Sequence, residues 1–219
     1  HSIGRKAKAK IEQARKDIAK QVGASSSEII FTSGGTEANN IFLQGITHQV
    51  KHIICSPIEH PAVLNTLKML ELKKNIKISW LSVDNKGNFK IEEIKTLIAA
   101  EANSMLVLMN GNNEIGNLID IKAIAELCTY NKCLFFSDAV QTIGHYKINV
   151  AELGLTALSA SAHKFHGPKG VGFLYLKKGT ALHHVYSGGA QERGIRSGTE
   201  NVAAIMGMAY ALDICYQNL

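Results

Sequence analysis

Short apolar runs alternate with longer stretches of helical periodicity along most of the chain. The runs that read as strands are Glu28–Ser33, His52–Ser56, Lys77–Val83, Ser104–Asn110, Cys133–Asp138, Ala157–Ala162 and Gly170–Leu176. Met105–Met109 and Leu134–Phe136 are unbroken hydrophobic runs, as expected where both faces of a sheet are covered. Helical patterns occupy Ser2–Val22, Thr36–Gly45, Pro61–Lys74, Ile91–Glu101, Ile121–Asn131 and Glu200–Tyr216. The alternation predicts an α/β domain with helices on both faces of a mostly parallel sheet. One connection breaks the rhythm. Only seven residues separate Ala162 from Gly170, too few for a crossover helix, so the last strand should run antiparallel to the one before it. The expectation is a seven-stranded sheet with one reversed strand.

Composition narrows the class. The chain has 219 residues, 46% hydrophobic and 19% charged, an ordinary globular balance for one well-filled domain. No apolar run approaches the roughly 18–20 residues of a membrane span, so no membrane role is expected. The net charge of +6 raises nucleic acid as a partner. Much of the excess lies in Arg5, Lys6, Lys8, Lys10, Arg15, Lys16 and Lys20, without interleaved aromatics or a nucleic-acid module signature. A solvated helix face is the simpler reading, and no nucleic-acid partner is expected. Cys55, Cys128, Cys133 and Cys215 show no metal-type Cys-x-x-Cys spacing. No metal is expected, and a few unpaired thiols suit a reducing, cytoplasmic compartment.

Polar clusters follow five of the apolar runs, where open α/β sheets bind ligands. Phe31-Thr-Ser-Gly-Gly-Thr-Glu-Ala-Asn39 reads as strand, small-residue turn and helix start: an anion site, or a plain helix cap. Asp138 ends a buried run and needs a cation or several hydrogen bonds. A pyridinium nitrogen would serve, and so would a capping role in the next loop. Gln141 follows three residues later, within reach of a ring oxygen. Lys164 follows a run of small residues, where a partly buried amine has a lowered pKa and can form a Schiff base. Ser161 and His163 stand beside it as phosphate donors. His60 could stack on a planar cofactor and move protons, or cap a helix. Asn113 could contact a cofactor or a substrate carboxylate, while Asn112 and Glu114 shape the turn. The Gly-rich segment from Gly188 to Asn201 is too long for a simple turn, and its two arginines and Thr199 suit anion recognition.

In order and spacing, these stretches resemble the cysteine desulfurases, the NifS/IscS-like group of class V aminotransferase-type enzymes. The motifs are His1-Ser-Ile-Gly-Arg5, Thr32-Ser-Gly-Gly-Thr-Glu-Ala-Asn-Asn40, Glu59-His60, Asn112-Asn-Glu-Ile-Gly116, Asp138-Ala-Val-Gln141, Ser161-Ala-His-Lys164, Gly167-Pro-Lys-Gly170 and Arg196-Ser-Gly-Thr-Glu-Asn201. The resemblance implies a fold type I large domain that binds pyridoxal 5′-phosphate. Lys164 would be the Schiff-base lysine, Asp138 the pyridinium partner, and His60 the stacking and proton-transfer group. Gln141 and Asn113 would touch the cofactor, and Gly35, Thr36, Ser161 and His163 its phosphate. Thr199 would reach the phosphate of a neighbouring subunit, so a homodimer is implied.

The activity implied is conversion of L-cysteine to L-alanine, with the sulfur kept as an enzyme persulfide. That sulfur would go to a sulfur-acceptor protein of iron–sulfur cluster assembly or tRNA thiolation. Family members have a segment ahead of the residue matching His1 and a smaller C-terminal domain past the one matching Leu219. That domain carries the persulfide cysteine and a carboxylate-binding arginine. The four cysteines here do not match that position, so residues 1–219 are expected to hold the cofactor and to be inactive alone. The rival readings are a selenocysteine lyase on the same framework and a catalytically silent module of this fold.

Overall fold

The computed structural model describes residues 2–74 and 76–219, so His1 of the first matched stretch lies outside them. Strands β1 (Ile29–Thr32), β2 (His52–Cys55), β3 (Lys77–Trp80), β4 (Ser104–Val107), β5 (Leu134–Asp138), β6 (Ala157–Ser161) and β7 (Gly172–Leu176) form one sheet. Their order is β1-β7-β6-β5-β4-β2-β3. Neighbours from β6 to β3 pair in parallel, and β7 runs antiparallel to both β6 and β1. The reversed strand is the one that the short connection demands.

Seven helices flank the sheet among the described residues: α1 (Ser2–Val22), α2 (Gly35–Gly45), α3 (Pro61–Lys74), α4 (Ile91–Ala100), α5 (Ile121–Tyr130), α6 (Val150–Leu153) and α7 (Val202–Gln217). Alternation along each strand builds two cores. Ile29, Phe31, Ile54 and Leu106 face α1, α4, α5 and α7; Ile30, Ile53, Cys55 and Val107 face α2 and α3.

The differences from expectation lie at element ends. Helix α7 starts at Val202 rather than Glu200, because the Asn201 side chain accepts from Ala204 N–H at 3.2 Å and takes the cap position. Helix α6 is a single turn capped by Asn149, too short to leave a periodic trace. The strands stop short of Ser33, Ser56 and Ala162, where the backbone turns off to build a pocket.

One basic residue of α1 does not belong to a solvated face. Arg15 is 3% exposed, lies over the Phe31 ring, and makes a two-pronged pair with buried Glu192 at 2.6 and 2.8 Å. It also donates to Ile29 O, and Glu192 accepts from Phe31 N–H. Glu192 and Arg193 both have positive φ, a tight local fold held by this anchor. Hydrophobic spacing could not show it, because an inward Arg needs a partner 177 positions away.

Removing one partner of a buried pair strands the other charge. Arg15→Ala should lower stability by about 3–5 kcal/mol in denaturant unfolding. Lys16→Ala, exposed on the same helix, should change it by less than about 0.5 kcal/mol.

Candidate active site

The turns after β1, β2, β4, β5 and β6 meet at the carboxyl edge of the sheet around an open pocket of about 140 Å³. Gly35, Thr36, His60, Asn113, Asp138, Gln141, Ser161, His163 and Lys164 all line it. Thr199 does not: it is exposed in the segment before α7. Sequence reasoning missed Asn39, Met109 and Val140, which complete the wall. Asn39 was findable, since it lies one helical turn after Thr36 on the same face of α2.

Asp138 is the best-defined group. It is 3% exposed, and its carboxylate accepts from Val140 N–H at 3.0 Å and from the Asn39 side-chain amide at 2.7 Å. Among the described residues no cationic side chain is bonded to it. Burial pushes its pKa above the ordinary aspartate value, and the Val140 and Asn39 hydrogen bonds only partly offset that. A buried acid with neutral donors and no cation suits a protonated ring nitrogen, the group the resemblance implies.

The turn into α2 supplies a cradle. Its first intrahelical bond is Ala38 N–H to Gly34 O, so the N–H groups of Gly35, Thr36 and Glu37 precede the ladder. A side chain at Gly35 would collide with Val140 Cγ2, and one at Gly172 with Ala160 O and the Gly34 backbone. The bare backbones let Val140 and β7 pack closely against this turn, and its free N–H groups at the helix N-terminus can receive a phosphate. Ser161 Oγ and His163 Nδ1 are hydrogen-bonded at 2.9 Å at the same wall. Burial, followed by the charges of Lys164 and Lys169, lowers the His163 pKa. A cradle with a hydroxyl and a neutral imidazole fits a phosphate.

Lys164 sits on the 3-10 turn Ala162–Phe165 and is exposed, not partly buried as expected. The reason is local: the chain leaves β6 in a tight turn and places the side chain at the open rim. His145 Nε2 lies 2.8 Å from Lys164 O and fixes the backbone there. His60 realises both of its possible roles in geometry. Its Nδ1 accepts from Ala62 N–H at 3.1 Å, capping α3, while the ring lines the pocket. That bond assigns the Nε2–H tautomer to the neutral ring. Asn113 Nδ2 is engaged by Glu114 at 2.6 Å, and Asn112 shapes the turn by accepting from Glu114 and Ile115 N–H.

The two arginines of the Gly-rich segment are not free for anions. Arg193 donates to Ile29 O and Ser26 O, and Arg196 pairs with Glu37 at 2.9 Å. Glu37 also accepts from Ser33 N–H; despite the cost of burial, these bonds hold its pKa below the ordinary value. The arginines therefore anchor the segment to β1 and to the first turn of α2. The cysteines lie away from the pocket: Cys55, Cys128 and Cys133 are buried in the cores, and Cys215 is on α7.

Similar proteins share both sequence and fold. Cysteine desulfurase IscS of Dictyoglomus turgidum is 45% identical over 218 residues, covering 98% of this chain and 55% of that protein. Among solved structures, a NifS-like protein superposes with a TM-score of 0.94 at 40% identity, covering 100% of this chain and 61% of the other. SspA in complex with cysteine superposes with a TM-score of 0.91 at 33% identity, over 97% of this chain and 62% of the other. The chain thus spans about half the length of the curated relatives it matches. The aminotransferase class V sequence profile matches residues 1–219, and the chain belongs to that family.

Proposed function

We propose that residues 1–219 are the cofactor-binding large domain of a pyridoxal-phosphate-dependent cysteine desulfurase. The observation that carries this is the meeting of Asp138, Lys164, His60 and the Gly35–Thr36 cradle in one pocket. The relative named for this activity and the solved structure holding cysteine support the choice of substrate. When bound, the cofactor supplies an aldehyde for the substrate nitrogen and a ring that withdraws electrons from Cα.

The chain's own residues then have separable tasks. Asp138 pairs its carboxylate with the ring nitrogen and keeps that nitrogen protonated. Gly35, Thr36, Ser161 and His163 bind the phosphate. Lys164 Nζ holds the cofactor and moves the Cα proton of bound cysteine. His60, with its proton on Nε2, stacks and relays protons; Gln141 and Asn113 orient the ring. The net reaction takes L-cysteine and a protein thiol to L-alanine and a protein persulfide. The C–S bond breaks, an S–S bond forms, and a proton goes to carbon. None of the four cysteines lines the pocket; on this reading the accepting thiol would lie outside residues 1–219, which alone would not turn cysteine over. Thr199, exposed on an anchored segment, would serve the phosphate of a second copy in a homodimer. A sulfur-acceptor protein of iron–sulfur assembly or tRNA thiolation would take the product. The resemblance implies a cytoplasmic place; among the described residues no helix is long and apolar enough to cross a membrane.

Three measurements test this reading. Borohydride treatment of the protein loaded with pyridoxal phosphate should fix the cofactor on Lys164, and Lys164→Ala should carry none; absence of the label from wild type overturns the proposal. Second, Asp138→Asn should weaken cofactor binding by at least about tenfold, the equivalent of one unit of pKa coupling. Because the folded-state pKa of Asp138 is raised, the folded protein binds the extra proton, and stability is lost as pH rises through that value. Without cofactor the Asn variant should therefore melt above wild type near pH 7–8, with the gap closing toward about pH 4. Third, adding pyridoxal phosphate or inorganic phosphate should move the His163 titration upward in NMR, since a nearby anion favours the imidazolium.

A further inference from the structure

The Glu59-His60 pair enters the mechanism only through its histidine, yet Glu59 is the more constrained of the two. It is 5% exposed, and its Oε1 accepts from Met109 N–H at 2.9 Å. Its Oε2 is buried with no hydrogen-bond partner. The side chain borders a second cavity of about 220 Å³, next to the first and sharing Met109, walled largely by Ile58, Phe89, Ile94, Ile119 and Ile124. Among the described residues no lysine or arginine lines this cavity.

We propose that Glu59 is the positioning residue for His60 and that it works as an uncharged carboxylic acid. The turn from Ser56 to His60 is tied to the segment after β4 at two points. One is Met109 N–H to Glu59, and the other is Asn112 Nδ2 to Ile58 O at 2.7 Å. Asn112 belongs to the turn that presents Asn113. The Glu59 bond is the one nearest His60, whose ring is then set by its own bond from Ala62 N–H. Losing the acceptor would leave Met109 N–H buried and unpaired, and would free the turn that carries the histidine.

The uncharged state follows from the surroundings. An ionised carboxylate in an apolar cavity with one oxygen unpartnered has nothing to compensate its lost hydration. The ionisable groups that face it make matters worse. Asp138, across the shared wall, is a second buried acid; the Cys55 thiol, pushed up by burial, is neutral. Asp120 on the cavity wall is held at the α5 cap by Ala123 N–H. His60 is adjacent in sequence, but its Nδ1 is already occupied by a donor. Burial first, and Asp138 as well, drive the Glu59 pKa well above the ordinary value. Neutrality leaves Asp138, among the described residues, as the carboxylate at the pocket for a cofactor nitrogen.

The test uses Glu59→Gln, which keeps the acceptor and removes the titration, and Glu59→Leu, which fills the volume without an acceptor. Only the cofactor-affinity comparison rests on the pyridoxal phosphate reading. In the cofactor-free chain the folded state of wild type binds the extra proton above the ordinary glutamate pKa of 4.5, so its stability falls as pH rises. Glu59→Gln should therefore gain in melting temperature over wild type from about pH 5 to pH 8. A flat or reversed difference overturns the uncharged acid. In 15N-histidine spectra of the same chain, with His60 assigned through His60→Gln, the signal of an unprotonated, hydrogen-bonded Nδ1 should persist in Glu59→Gln and vanish in Glu59→Leu. Loss of that signal in Glu59→Gln, or its survival in Glu59→Leu, overturns the positioning role; the Gln variant decides even if the Leu variant fails to fold. Cofactor affinity should stay within about threefold in Glu59→Gln and drop about tenfold or more in Glu59→Leu, the cost of one buried unpaired N–H. If wild type itself binds no pyridoxal phosphate, the proposed function fails while the two cofactor-free measurements still judge Glu59.

Discussion

The return from Ser161 to Gly172 leaves no room for a crossover helix, and much of the site's geometry follows from that limit. Strand β7 has to fold back beside β6, and its other edge takes β1. The chain's first strand is thereby drawn into the same sheet as the sixth. Gly172 then packs against Gly34, which sets the α2 cradle directly beside Ser161. The same tight return keeps Lys164 at the carboxyl edge rather than carrying it away on a helix. A cradle from the first βα unit and a lysine from the turn after the sixth strand meet because one connection is short.

Around that frame the site concentrates costs that a purely structural domain would avoid. Asp138 and Glu59 are both buried acids without a cationic partner among the described residues, and both have raised pKa values. Asn39 Oδ1 is also buried without a partner among the described residues. Elsewhere the buried charge is matched: Arg15 with Glu192, and more openly Arg196 with Glu37. These two pairs hold the segment before α7 to β1 and to the first turn of α2. The contrast locates function by physics alone. The paired charges anchor a segment, whereas Asp138 at the pocket has no bonded cation among the described residues, a pattern common at binding sites.

The surface of α1 shows how far pattern reading goes. Lys6, Lys8, Lys10, Lys16 and Lys20 are exposed, as a polar helix face requires. Arg15 is inverted to the core by a partner far along the chain, information that no local window contains. The arginines of the Gly-rich segment are a similar case. Arg193 and Arg196 look available for anions in one dimension, but are consumed by carbonyls and Glu37 in three.

The sequence by itself determined the seven strands, the helices other than α6, the reversal of β7 and most of the residues that gather in the pocket. Those features follow from local periodicity, a connection length and the rule that strand ends carry the chemistry. Tertiary structure alone decided the protonation and exposure of those residues. The exposure of Lys164, the cationless burial of Asp138, the bond between Glu59 and Met109 and the anchoring of the segment bearing Thr199 depend on which distant backbone comes within about 3 Å, a hydrogen-bond length. Desolvation is a property of everything that surrounds a group, and the chain acquires those surroundings only when the sheet closes around the pocket.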